Sequence, residues 1–589
     1  MSGYDRRALW ALVVLLGVPA ALLMGLATHT AAWLSHPPEL GPPLLESPAL
    51  YSPLAPFRWM VRFRGTVLAR RLGLGLLVVV AATVLALLPF ARLDGGAARS
   101  VHGSSRHATL AELRRAGLLA RRGILLGAYR GRTVRTESTE HVLAILPTRA
   151  GKTSCWVIPN VLELDGNLVV SDLKGAEIFT ASAGAKARTH DVYRFEPAAG
   201  DTATWNPLDE IPRDDDDVAA LQRQATDFIV PERSGTGEHW IRAARQLHVC
   251  LGLHVIYAAQ RPGTLAAARE LLLAGSAAGN GQADDKLAGD PRAPFTAILE
   301  EPCDPAFSHR WPEAGRHPEA AALARRFLAT APRELASILS TLSTFYEPWG
   351  DPRIDRATSS STFSLSRLDP GHERPAALYL IVPRADVERL SPLLRMLYAG
   401  LANRLTRVRR YVDVAARVGV RRTYLILDEF PLLGYMPQFA TMISTLAGYG
   451  ATLMICVQDL ATLRNLYGPH EPITGGCPIQ IAGATQRPET LRHLSQLAGE
   501  ATVHWQRATR TTAGGLGRSS RSVSPSEARR PLLTVGEVRT LPADKAVLFA
   551  PGVHPVVIDK RPYFRDRRLR ALARLAPPAA AHPGAAEER

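Results

Sequence analysis

The chain has 589 residues and a formal net charge of +16, from 70 lysines and arginines against 54 acids. That length holds several domains, and the positive balance favours an acidic partner, nucleic acid or an anionic membrane surface, although arginine outnumbers lysine throughout and coding bias is a competing source of the charge. The five cysteines (Cys155, Cys250, Cys303, Cys456, Cys477) are odd in number and form no C-x-x-C pair, which argues against a disulfide framework or a zinc site and fits a reducing cytosol.

Ala8 to Ser35 carries no Asp, Glu, Lys or Arg, and Leu72 to Ala91 is a second such run. A helix needs about 20 apolar residues to cross a bilayer core, so both suffice, and two spans are predicted at about 8–34 and 72–91. A cleaved signal peptide competes for the first run, but the run is too long for an ordinary h-region and no small-residue cleavage site follows. A Pro-rich loop around His36 to Pro56 joins the spans. Flanking arginines do not settle orientation: Arg6, Arg7, Arg92, Arg99, Arg106, Arg114 and Arg115 lie outside the pair, and Arg58, Arg62, Arg64, Arg70 and Arg71 lie between.

Beyond about residue 100 the pattern becomes α/β. The apolar stretch Val142 to Ile145 leads into Leu146-Pro147-Thr148-Arg149-Ala150-Gly151-Lys152-Thr153 and then a helix-compatible segment. Strand, loop and helix in that order cradle phosphates on backbone N–H groups, with Lys152 reaching the β/γ-phosphates and the Thr153 hydroxyl ligating Mg²⁺. The pattern G-x-x-x-x-G-K-[ST] asks for glycine at 146 and the chain has leucine, which adopts positive φ with difficulty and bears on loop geometry and nucleotide affinity. Taken alone, the motif competes with a chance match in a glycine-rich chain.

Asn167 to Ser171 reads as the next strand. From about 210 to 360 the strand signal stops and Ala, Leu and Arg recur at helical spacing, as in Val218 to Ile229 and Trp240 to Ala259. Asp214 to Asp217 precede the first of these helices and read as a solvated, dipole-complementing cap. Further apolar runs follow at Ala377 to Val382, Thr423 to Leu427, Thr452 to Val457, Ile479 to Ala484 and Ala546 to Phe549, which together suggest a mostly parallel, doubly wound sheet. Thr423 to Leu427 ends in Asp428-Glu429, an apolar strand closing on two acids. Asp428 would hold Mg²⁺ through water and Glu429 would orient and deprotonate the attacking water. Ligands in open α/β sheets bind at this strand edge, so the two motifs support each other against solvated strand-end carboxylates. Gln458 ends the following strand, where it senses a γ-phosphate or is a plain polar terminus. A cytoplasmic nucleotide site puts both chain termini in the cytoplasm. Arg507 to Arg530 carries six arginines among Ser, Gly and Thr with one acid, Glu527, and is expected to be a mobile loop that touches phosphate backbone or is simply solvated. Residues 566–589 are expected to be a disordered Ala/Pro-rich tail.

At this point the chain resembles the type IV coupling proteins, the TraG/TraD-type membrane-anchored ATPases of conjugation and type IV secretion, from the anchor to about Arg565. The carriers are His102 to Thr109; Pro147 to Thr153 with Ile158-Pro159-Asn160; Ser171-Asp172-Leu173-Lys174-Gly175; and Trp205-Asn206-Pro207-Leu208. The most specific are Leu427-Asp428-Glu429-Phe430-Pro431-x-Leu433-Gly434, Tyr449-Gly450, Gln458 and Leu466-Tyr467-Gly468, followed by Pro531-Leu532-Leu533, Glu537-Val538 and Pro551-Gly552. Departures are Leu146, Glu177 one position late, Ala447 for an arginine and Thr462 for a second glutamine; none touches Lys152, Asp428 or Glu429.

The resemblance implies a RecA-like P-loop NTPase domain with an all-α insertion domain, preceded by a two-helix transmembrane anchor. The boundaries are 1–100 for the anchor, 101–210 and 361–565 for the two parts of the nucleotide-binding domain, 211–360 for the insertion and 566–589 for the tail. It further implies a homo-hexameric ring at the bacterial inner membrane, with ATP and Mg²⁺ as cofactors, that hands single-stranded DNA with its relaxase, or a protein substrate, to the secretion channel. The expected roles are catalytic for Lys152, Glu429 and Gln458, nucleotide-binding for Pro147, Thr148, Arg149, Ala150, Gly151, Lys152 and Thr153, and metal-holding for Thr153 and Asp428. An arginine finger from a neighbouring subunit is expected, with no single arginine singled out. Alternatives are a coupling protein for protein effectors, a degenerate ATPase serving as a docking platform, for which Leu146 speaks, and a DNA-partitioning motor, against which the 427–434 signature and the short anchor speak.

Overall fold

A computed structural model describes residues 19–32, 34, 42–46, 49–93, 103–230, 237–276, 291–313, 315–369, 372–408, 421–512, 519–579 and 582. The chain divides into two compact units, Met1–Val101 and His102–Arg589.

In the first unit a helix is described over 19–32, followed by a two-residue antiparallel pair, β1 (Leu45–Glu46) and β2 (Ala49–Leu50), and the helices Ala55–Arg62 and Val67–Leu93. Pro56 occupies the first turn of its helix, where a missing N–H leaves nothing unsatisfied. Gly65, at φ +90°, makes the turn to the long helix. Ala27, Ala31, Tyr51, Ala55, Trp59 and Leu72 form the core of this unit, with the Tyr51 and Trp59 rings edge-on at 5.3 Å. The predicted span 72–91 falls within the 27-residue helix Val67–Leu93, whose side chains are described to residue 83. Residues 8–18 of the predicted first span lie outside the described residues. Among the described residues no helix is long and apolar enough to cross a membrane.

The second unit is built on an eleven-stranded sheet. Its strands in chain order are β3 (Ile124–Tyr129), β4 (Arg132–Thr136), β5 (Val142–Ile145), β6 (Asn167–Asp172), β7 (Asp191–Phe195), β8 (Ala376–Ile381), β9 (Thr423–Leu427), β10 (Ala451–Val457) and β11 (Ile479–Ala482); β12 (Glu500–Thr512) and β13 (Ser519–Pro531) stand apart, and β14 (Lys545–Ala550) and β15 (Val553–Asp559) complete it. The spatial order is β4-β3-β15-β14-β11-β5-β10-β9-β6-β8-β7. From β11 to β7 all neighbours are parallel; β14, β15, β3 and β4 add antiparallel strands at one side.

Alternate residues of the central strands enter two different cores. Leu143, Ile145, Val169, Leu425, Leu427, Ile455 and Val457 pack on one face, and Val142, Ala144, Leu168, Val170, Ile426, Met454 and Cys456 on the other. A parallel sheet covered on both faces has no polar side, which is why these strands read as unbroken apolar runs.

Between β7 and β8 the named elements are all helical, the longest being Glu238–Tyr257 and Pro332–Tyr346. Their side chains continue the first of the two cores. Phe228 sits among His248, Phe345, Tyr346 and Trp349 with ring centroids 5.0 to 6.0 Å apart. Two expectations are corrected here. Asp217 is not a solvated cap: it is 2 % exposed and accepts hydrogen bonds from the Tyr257 hydroxyl (2.6 Å) and Arg310 Nη1 (3.3 Å). A buried carboxylate persists only when so paired, and the folded helices bring these partners from 40 and 93 positions away. The described part of 507–530 is not a loop: 507–512 and 519–530 lie in the antiparallel ribbon of β12 and β13, in register from Glu500↔Pro531 to Thr512↔Ser519; residues 513–518 lie outside the described residues. The Thr and Val residues of 500–512 favour extended backbone, and each strand satisfies the other's backbone groups. The tail also begins with structure. The helix Arg567–Leu572 is capped by Asp566 and buries Leu569, so order extends past 566; residues 580, 581 and 583–589 lie outside the described residues.

Asp227, on the helix Asp217–Phe228, is 6 % exposed, and burial pushes its carboxyl up to about 7 against the pull of Arg245 and Arg395. A carboxyl raised on folding penalises the folded state once ionised. The penalty is absent below the unfolded value near 4, grows between about pH 4 and 7, and is complete above 7. Asp227→Asn is therefore expected to raise thermal stability, on the order of a few kcal/mol at pH 8 and clearly less at pH 5, read from melting curves at the two pH values.

Candidate nucleotide site

The site forms where β5, β10 and β9 end side by side. β10 lies between the other two, paired with β5 from Met454↔Val142 to Val457↔Ile145 and with β9 from Ala451↔Thr423 to Ile455↔Leu427. The loop after β5, the acids after β9 and Gln458 after β10 thus share the C-terminal edge of the parallel strands.

Leu146 extends the strand. Its N–H donates to the Val457 carbonyl at 2.9 Å, and its side chain is fully buried in the second core. The left-handed conformations of the loop fall at Arg149 (φ +64°) and Gly151 (φ +83°), so position 146 has no need of glycine. Room for the larger side chain comes from Gly483 after β11, where a Cβ would lie 2.7 Å from Leu146 Cδ2. Beyond the loop a wide helical turn, Thr153–Val157, runs into the helix Ile158–Glu163. Asn160 anchors it: buried, it accepts the Leu125 N–H (2.7 Å) and donates to the Leu125 and Trp156 carbonyls (3.1 and 2.9 Å).

Lys152 is 5 % exposed, and its Nζ lies 3.1 Å from Glu429 Oε1 and 3.7 Å from Asp428 Oδ1. Thr153 Oγ1 donates to Asp428 Oδ2 at 3.0 Å, and Gln458 Nε2 donates to Glu429 Oε2 at 2.9 Å. Burial would push the Glu429 carboxyl up, but the Lys152 charge, the Lys174 ammonium and the Gln458 amide outweigh it and hold it down at about 2. Asp428 Oδ1 is buried with no hydrogen-bond donor. A buried carboxylate oxygen lacking a donor, beside a hydroxyl already bonded to the same carboxylate, is the hard-oxygen donor set that Mg²⁺ takes, directly or through water.

The structure therefore brings Lys152, Thr153, Asp428, Glu429 and Gln458 together. Of the remaining loop residues, Pro147 and Ala150 are half-buried, and Thr148 and Arg149 are exposed at the rim. Two residues given no role from sequence also reach the site. Lys174, two residues past β6, contacts both acids, at 3.0 Å from Glu429 and 3.4 Å from Asp428. Lys560, just after β15, donates from Nζ to the Ala150 carbonyl at 3.0 Å and so props the loop from behind. Lys174 lies within the Ser171-to-Gly175 strand end, a usable signal had the adjacency of β6 and β9 been known. Lys560 has no such signal.

A phosphate loop and a strand ending in paired acids, both on one edge of a parallel sheet, define a P-loop NTPase. The chain belongs to the family described as "Type IV secretory system Conjugative DNA transfer", whose model matches residues 106–585; it is a type IV coupling protein. It is 29% identical to "Conjugal transfer protein TraG" of Escherichia coli over 90% of this chain and 88% of the relative, and 27% identical to "Protein VirD4" of Rhizobium rhizogenes over 85% and 70%. The solved structure "Plasmid coupling protein TrwB in complex with the non-hydrolisable ATP-analogue ADPNP" has the same fold, with a TM-score of 0.56 at 16% identity over 83% of this chain and 99% of that one.

Proposed function

We propose that this coupling protein binds and hydrolyses ATP and uses that hydrolysis to move single-stranded DNA, with its relaxase, into a type IV secretion channel. The observation that carries the reading is the convergence of Lys152, Thr153, Asp428 and Glu429 at the sheet edge, where Lys152 lies 3.1 Å from Glu429 and 3.7 Å from Asp428, and Thr153 lies 3.0 Å from Asp428. Backbone N–H groups of the loop and the Lys152 ammonium bind the phosphates. Thr153 and Asp428 hold Mg²⁺, which when bound neutralises charge on the phosphate oxygens. Glu429 orients a water and accepts its proton, and Gln458 fixes the second carboxylate oxygen of Glu429. These roles extend to Pro147, Thr148, Arg149, Ala150 and Gly151 as the loop that wraps the phosphates.

In this reading residues 1–100 anchor the protein in the inner membrane through two spans, at about 8–34 and 72–91. The nucleotide-binding domain comprises 101–210 and 361–565, with 211–360 as its helical insertion, and six copies form a ring. The uncharged apolar run Leu72 to Ala91 of the sequence supports the second span, and the net charge of +16 supports a nucleic-acid cargo. The docking-platform alternative rested on Leu146; with that residue continuing the strand ladder, its support falls away.

The test is ATP turnover by the full-length protein in lipid nanodiscs, with and without single-stranded DNA, over a salt series. Turnover is expected to rise with DNA and the stimulation to fade as salt releases the phosphate contacts. Turnover indifferent to DNA at every salt concentration would instead favour protein cargo, and an inert protein that also fails to bind nucleotide would refute the motor reading.

A further inference from the structure

β6 ends at Asp172, whose Oδ2 accepts the N–H groups of Ile178 (2.7 Å) and Phe179 (2.9 Å) and so pins the first turn of the helix Glu177–Lys186. Between strand and helix the chain turns through two successive left-handed residues, Gly175 (φ +96°) and Ala176 (φ +66°). Alanine tolerates that conformation only where its surroundings impose it. The turn sends Leu173 into the core and Lys174 to the sheet edge, beside the end of β9. There the Lys174 ammonium lies 3.0 Å from Glu429 Oε1, the same oxygen that lies 3.1 Å from Lys152 Nζ. Glu429 is itself a non-glycine residue in the left-handed region, at φ +57°, with its other oxygen on Gln458.

We propose that Lys174 is a positioning residue that keeps the Glu429 carboxylate in place when Lys152 leaves it for the phosphates. The inference rests on the nucleotide-site reading above and deepens it. Lys152 cannot serve the phosphates and Glu429 equally, because its three N–H donors on one flexible stem follow the stronger charge. Of the two cations on Oε1, only Lys174 lies outside the phosphate loop, on the turn after β6, so it stays on the acid when the loop lysine turns to the phosphates. An ordinary exposed ion pair contributes little. This pair differs because Lys174 is 38 % exposed while its partners Asp428 and Glu429 are 3 % and 9 % exposed at the side chain. A carboxylate displaced by about 1 Å from its water lowers turnover by about 100-fold without weakening nucleotide binding.

The experiment uses full-length Lys174→Met and Lys174→Arg in nanodiscs, beside Lys152→Ala. It measures kcat and KM for ATP, affinity for a fluorescent non-hydrolysable ATP analogue, and melting temperature. Lys174→Met is expected to lower kcat at least about tenfold with analogue affinity held within about twofold, and Lys174→Arg to recover most of the loss. Wild-type kcat in Lys174→Met would overturn the proposal, as would a parallel fall in kcat and analogue affinity. Should the methionine variant melt early, Lys174→Gln takes its place with the same criteria. Analogue binding that survives Lys152→Ala would refute the site itself; binding lost there while Lys174→Met turns over normally would refute only the role of Lys174.

Discussion

Lys152→Ala is expected to weaken nucleotide binding at least about 100-fold and to reduce ATP turnover by about 1000-fold, the scale of removing a preorganised charge from a phosphoryl-transfer site. Lys152 is nearly enclosed and contacts both acids. Its loss also leaves Asp428 and Glu429, adjacent and buried, to share Lys174 alone. Breaking a buried ion pair from one side typically costs about 3–5 kcal/mol, and the retained lysine makes the lower end the expectation here. The alanine variant should therefore melt below wild type in the absence of nucleotide and gain nothing when ATP is added. Isothermal titration with the non-hydrolysable analogue and melting curves with and without it check both parts. Wild-type affinity in the variant would remove Lys152 from the phosphate site.

Glu429→Gln separates binding from chemistry. The amide keeps the shape of the side chain and loses the basic oxygen, so turnover is expected to fall by about 100-fold to 10,000-fold, the usual contribution of a positioned general base. Nucleotide affinity is expected to rise. In the wild-type protein Lys152 must leave Glu429 Oε1, 3.1 Å away, before it serves a phosphate, and in the glutamine variant that competing negative charge is gone. Single-turnover kinetics alongside equilibrium binding of the same analogue reads both. A variant that hydrolyses at the wild-type rate would assign the water-activating role elsewhere.

Much of this site was legible because its parts are local. The loop residues 147–153 and the pair Asp428-Glu429 each announce themselves within a few positions, and burial on both faces turns the central strands into conspicuous apolar runs. What was not legible depends on which strands become neighbours. Lys174 reaches Glu429 only because β6 lies beside β9, and Lys560 reaches Ala150 only because β15 ends behind the loop. Leu146 looked like a defect under a rule about glycine. It is accommodated by a missing side chain at Gly483, more than 300 positions away, which no local pattern reveals. The ribbon of 500–512 and 519–531 hides from sequence for a related reason: arginine and serine suggest solvation, while the extended backbone preference of 500–512 shows itself only when a partner strand is present.

The central place of β10 has a mechanical consequence. Adjacent strands lie about 4.8 Å apart, so β10 acts as a spacer that sets the loop carrying Lys152 and the paired acids on strands about 10 Å apart. Its hydrogen-bond ladders to both sides make that gap a fixed gauge. The site cannot open like a jaw within the sheet. Nucleotide must enter and leave across the strand ends, and adjustment to its presence falls to the side chains and turns that cap them.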